Sequence, residues 1–99
     1  MKFIQPLFNL GQLVITPSAI TVLAEQGVAP SDLLDRHVDG DWSEMAPEDR
    51  EANRQAVQNG GRVFSRYCLT STLRVWVITE AKGDDGERTS TCILLPSEY

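Results

Sequence analysis

The period of the apolar positions changes once along the chain. From Thr16 to Asn59-Gly60-Gly61 apolar residues recur mainly at spacings of three and four, and from Arg62 they alternate with polar ones. That is a shift from helical to strand periodicity. Thr16-Pro17 is a helix start, a hydroxyl N-cap followed by proline where its missing N–H costs nothing. Ile20, Leu23 and Ala24 then share a face, and Gly27 supplies a left-handed stop. After Ala29-Pro30, Ser31 is expected to cap a second helix whose buried face is Leu33, Leu34, His37 and Val38, ended by Asp39-Gly40-Asp41. Pro47 opens a third helix, with Glu48, Asp49 and Glu51 in its first turn where the dipole favours anions. Its inward face is the sparse set Ala52, Asn53, Ala56 and Val57.

Ahead of these helices the pattern is irregular. Phe3, Ile4, Leu7, Phe8, Leu10, Leu13, Val14 and Ile15 fit neither period, and Pro6 and Gly11 interrupt them. Gln12 to Ile15 reads as a short strand or an extended lead-in. Behind the helices, residues 62–69, 73–80 and 89–95 read as three strands. Thr70-Ser71-Thr72 makes the first connection a hairpin, and residues 81–88, with Lys82-Gly83-Asp84-Asp85-Gly86, read as a solvated loop. Val63, Tyr67 and Leu69 share one face of the first strand, and Leu73, Val75 and Val77 one face of the second. The expected fold is therefore a single α+β domain over residues 1–99. Two to three N-terminal helices pack on one face of a C-terminal three-stranded antiparallel meander.

Charge sharpens the picture. The chain carries a net charge of −5, and residues 25–51 hold nine acids against two arginines, a local balance of −7. Such a surface repels nucleic acid and favours a basic partner or a metal. Two cysteines, Cys68 and Cys92, are too few for a disulfide scaffold, and no apolar run approaches a membrane span or a signal peptide. A cytoplasmic protein with free thiols is expected.

The chemistry concentrates in His37-Val38-Asp39-Gly40-Asp41-Trp42. An imidazole and two carboxylates could contribute to a divalent-ion site. The start of a calcium loop at Asp39, Asp41 and Ser43 fails at Glu44 and Arg50, where glycine and glutamate are needed. The preferred reading of His37 is a half-buried core residue bonded to a backbone carbonyl or to Asp39. Trp42 plugs the core or anchors a partner. On the other sheet face, arginines interleave with Phe64 and Trp76, the arrangement of a platform for single-stranded nucleic acid through Arg66, Arg74 and Trp76. Three arginines, with Glu80 on the same face and an acidic chain overall, are a weak case for it. No glycine-rich phosphate loop, zinc-ligand cysteine pair or nucleophile elbow is present, and no cofactor is implied.

His37-Val38-x-Gly40-Asp41-Trp42, Glu48-Asp49 with Asn53, Ala56 and Asn59-Gly60, Ser65-x-Tyr67, Trp76-Val77-Ile78-Thr79-Glu80 and Leu94-Leu95-Pro96-x-Glu98-Tyr99 stand together here. With Thr16-Pro17 and Leu33-Leu34-x-Arg36-His37, these blocks resemble the small uncharacterised plasmid-related proteins of bacterial plasmids, integrated elements and phages. The resemblance covers roughly residues 10–99. It departs at Lys82 to Arg88, a longer polar loop, and at Ser43, where family members often have glycine. It carries no catalytic residue. It implies a non-enzymatic accessory protein that binds a host protein through an acidic surface, an anti-restriction or anti-CRISPR inhibitor of a nuclease or defence complex being one form of that role. The contact residues expected are Asp39, Asp41, Trp42, Glu44, Glu48, Asp49 and Glu51. The alternatives are a metal-dependent enzyme using His37, Asp39 and Asp41, and single-strand binding on the arginine–aromatic face.

Overall fold

A computed structural model describes residues 6–99. Phe3 and Ile4, part of the irregular lead-in, lie outside the described residues. The elements are β1 (Gln12–Ile15), α1 (Pro17–Gln26), α2 (Pro30–Val38), α3 (Pro47–Asn59), β2 (Val63–Cys68), β3 (Arg74–Thr79) and β4 (Ser90–Leu94), followed by a 3-10 turn at Pro96–Glu98. The α+β class and the three helices are as the periodicity predicts. The sheet is not the expected three-stranded meander: it has four strands in the order β1-β4-β3-β2. β2, β3 and β4 are antiparallel neighbours, while β1 joins β4 in parallel, with Val14 opposite Cys92 and Ile15 opposite Ile93. Parallel neighbours need a long crossover, and here it comprises all three helices and two strands. Nothing local in Gln12–Ile15 encodes it.

Gly11 makes that pairing possible. Its φ is +67°, and a Cβ there would lie 2.4 Å from the carbonyl oxygen of Arg88. Only glycine lets the chain pass so close to the start of β4.

The helices start and stop largely where local chemistry dictates. Thr16 caps α1 by accepting a bond from the Ala19 amide at 3.2 Å, and Gly27 ends it at φ +67°. Two details differ from expectation. α2 begins at Pro30 with Ala29 as its cap rather than Ser31, because proline already fits the first helical position. In α1 the buried pair is Ala19 and Leu23, while Ile20 is 52 % exposed; the roll of the helix on the sheet selects the i, i+4 pair one position earlier. In α3 Asn53 and Ala56 are buried and Ala52 is exposed.

Two apolar clusters fill the space between helices and sheet. Ala19, Leu23, Leu33 and Leu34 meet Tyr67, Val75, Val77 and Ile93. Phe8, Val38, Trp42, Met45 and Ala56 surround Val63. A row of buried polar side chains, Ser65, Thr79 and Thr91, runs across the inner sheet face between them, with His37 above it. The outer face carries Phe64 against Trp76 (centroids 4.9 Å apart) and Tyr99 against Trp76 (5.4 Å), the tail after Leu95 having folded back. Cys68 and Cys92 are free, on strands separated by β3.

Candidate functional site

His37 is fully buried, with both ring nitrogens engaged. Nδ1 meets the Ser65 hydroxyl, Nε2 meets the Thr79 hydroxyl at 2.8 Å, and the ring of Phe8 stands edge-on 4.9 Å away. The expected partners, a backbone carbonyl or Asp39, are therefore replaced by two strand hydroxyls. Asp39 sits at the end of α2 on the exposed side, so the imidazole and that carboxylate point to different environments.

The hydrogens of this network can be assigned from its ends. The Leu10 carbonyl can only accept, so Thr91 donates to it at 2.7 Å. Thr91 therefore accepts from Thr79 at 2.6 Å, and Thr79 in turn accepts from His37 Nε2–H. A neutral ring then leaves Nδ1 bare to accept from Ser65, whose oxygen accepts the Trp42 indole N–H at 3.0 Å. One neutral tautomer satisfies every member. A second ring proton would oppose it, and burial together with the positive charge of Arg88 pushes the His37 pKa down to about 3. The chain of donors runs from Trp42 beside β2, across β3 and β4, to Leu10 just before β1. It is a structural girder, closed to solvent.

The acids divide into two sets. Asp41 and Glu44 are used inside the chain. Arg36 donates to Asp41 at 2.7 Å and to Glu44 at 3.2 Å, and the second oxygen of Glu44 accepts the Cys68 amide at 2.7 Å. Asp41 also accepts from the Ser43 hydroxyl at 2.8 Å. The Arg36 hydrogen bond holds the Asp41 carboxyl below its ordinary pKa; for Glu44, partial burial works upward but is outweighed by the Cys68 amide and Arg36. This brace fixes the loop between α2 and α3.

Asp39, Glu48 and Asp49 form the second set: exposed, with no side-chain hydrogen bond or ion pair among the described residues. Glu51 makes a surface pair with Arg54 at 3.1 Å. Trp42, only 5 % exposed with its N–H on Ser65, is a core plug.

The roles of Arg88 and Asn53 leave little trace in the residue pattern. Arg88 lies at the end of a stretch whose composition predicts a solvated loop, yet it is 4 % exposed and donates to the carbonyls of Ala56, Gly61 and Glu80 at 3.1, 2.6 and 3.0 Å. It places a cation at the C-terminal end of α3, where the helix dipole favours one. Asn53 donates to the Phe64 carbonyl at 2.6 Å and accepts the Phe64 amide at 3.0 Å. Its placement on the inward face of α3 was the only available signal. Among the described residues no group of three His, Cys, Asp or Glu side chains is placed to hold a metal ion, and no helix is long and apolar enough to cross a membrane.

Comparison with protein-family models, with curated proteins and with solved structures yields no match.

Proposed function

We propose that this protein is a non-enzymatic binding module that docks a basic surface of a host protein against the acidic face formed by the end of α2 and the start of α3. One observation carries the reading: Asp39, Glu48 and Asp49 are exposed and unpaired beside a loop already fixed by the Arg36–Asp41–Glu44 brace. A loop fixed before binding loses little backbone entropy on docking. Asp39 adds weight because it sits at a helix C-terminus, where the dipole disfavours a negative charge. Glu48 and Asp49 have an ordinary helix-start role as well. The resemblance to mobile-element proteins points to a host nuclease or defence complex as the partner class. The metal-enzyme alternative is disfavoured because His37 is sealed in the core. The single-strand alternative is disfavoured because Phe64 and Tyr99 cover Trp76.

The contact set for test is Asp39, Glu48, Asp49 and Glu51, with Asp41 and Glu44 left intact for the fold. The variant D39N/E48Q/D49N/E51Q should melt close to the wild type and lose capture of a basic host protein at low salt. Equal capture by both proteins would remove the acidic face from consideration.

A further inference from the structure

We propose that the free edge of β1 is a self-association surface, where β1 pairs antiparallel with β1 of a second copy of this chain. Gln12 and Thr16 donate their amides to Thr89 and Ile93 at 3.0 and 3.1 Å, on the β4 side. Alternation along a strand then leaves the amides and carbonyls of Leu13 and Ile15 facing away from the sheet. No described residue takes them up. Bare edges of this kind are templates for another strand.

The side chains match that backbone. Leu13 is 50 % exposed and Val14 45 %, and Ile20 on neighbouring α1 is 52 % exposed. The register with Thr91 and Ile93 puts Leu13 and Ile15 on the helix side, and Val14 on the opposite face beside Cys92.

The occupant follows from charge and symmetry. No charged residue occurs from Pro6 through Ala24, in a chain of net charge −5 whose acids crowd residues 25–51. A basic partner is drawn to the α2–α3 face. Two copies of this acidic chain meet with least repulsion at β1. Glu98, the carboxylate nearest the strand end, is already held by the Thr16 hydroxyl and the Leu95 amide. An antiparallel pair centred on Val14 opposite the second Val14 lets Leu13 of each copy exchange both backbone bonds with Ile15 of the other. It also brings the exposed Leu13 and Val14 side chains of both copies together. The product is a continuous eight-stranded sheet with β2 strands at both ends, their outward backbone partly capped by Asn53 and Glu44.

Sedimentation velocity on the full chain, raised to about 1 mM because an interface this short is weak, should show a species of twice the 11.0 kDa chain mass. In the same range the Leu13 and Ile15 amides should exchange about tenfold more slowly than at high dilution, while those of Gln12 and Thr16 change little. V14K should stay monomeric with an unchanged circular-dichroism spectrum, as should V14E. A mixture of the two should dimerise, because opposite charges then meet at the symmetry point. A monomer at every concentration overturns the proposal. So does a dimer in which the Leu13 and Ile15 amides stay fast, or one that V14K leaves intact. Should V14K unfold, the exchange measurement on the wild type decides alone.

Discussion

The sheet ends in two edges that the chain treats in opposite ways. At β2 side chains blunt the outward backbone at two of its three outward-facing residues, Phe64 and Cys68, leaving that of Arg66 between them. The Asn53 amide binds both the N–H and the C=O of Phe64, as a neighbouring strand would, and the Glu44 carboxylate takes the Cys68 amide. At β1 the outward groups have no partner among the described residues and are flanked by exposed Leu13 and Val14. Edge strands invite pairing unless they are blunted. Here one edge is blunted with polar groups borrowed from α3 and the α2–α3 loop, and the other is left uncharged. The girder through His37 ties the two together, from Trp42 at the blunted side to Leu10 at the open one.

Cutting that girder should have the largest effect. H37A leaves a cavity and strips partners from Ser65 and Thr79, with an expected loss of about 4 kcal/mol in chemical denaturation. A loss below about 1 kcal/mol would mean the network is not a unit. Uncapping β2 comes next. N53A should cost about 2 kcal/mol, since two half-buried backbone groups of Phe64 lose their partner. It should also raise the association tendency, now at a second edge that light scattering can detect.

Acid separates the girder from the brace. The unfolded His37 titrates near its ordinary 6.5 and the folded one at about 3. The folded state therefore binds fewer protons, and stability is complete above pH 6.5. It falls by up to about 1.4 kcal/mol per pH unit below that. Asp41 and Glu44, whose folded pKa values are depressed, lose their contributions only as the pH drops below the ordinary carboxylate range. H37A should therefore abolish the slope between pH 6.5 and 5, read from urea midpoints, and retain the steeper decline at lower pH. An identical slope in both proteins would place the titrating group elsewhere.

The smallest effects test the capping group at β2 and the open strand. E44Q keeps an acceptor for the Cys68 amide but loses charge toward Arg36, in a half-exposed setting worth roughly 0.5–1 kcal/mol. L13T should change monomer stability by less than about 0.5 kcal/mol, because half of that side chain already faces water. A large loss in L13T would show that β1 is held by its side chains rather than by its backbone and Gly11.

Local sequence determined much of this protein. Thr16-Pro17, Pro47 and the glycines at 27 and 60 set helix ends through dihedral and capping preferences that need no distant partner. Alternation from Arg62 separated inner Val63, Tyr67, Val75 and Val77 from outer Phe64, Arg66, Arg74 and Trp76, because the side-chain period of a strand is fixed by its geometry. The acidic stretch was equally plain. Which of its carboxylates are free was not, since that depends on where Arg36 and the Cys68 amide lie in space. The tertiary structure alone decided that β1 joins β4, that Asn53 acts as a substitute strand, that Arg88 is buried on three carbonyls and that His37 bonds to two hydroxyls. Most of these contacts join residues far apart along the chain: 11 for Asn53 and Phe64, 32 for Arg88 and Ala56, 42 for His37 and Thr79, and 78 for Gln12 and Ser90. Pairings at that distance leave no periodicity in the residues that make them.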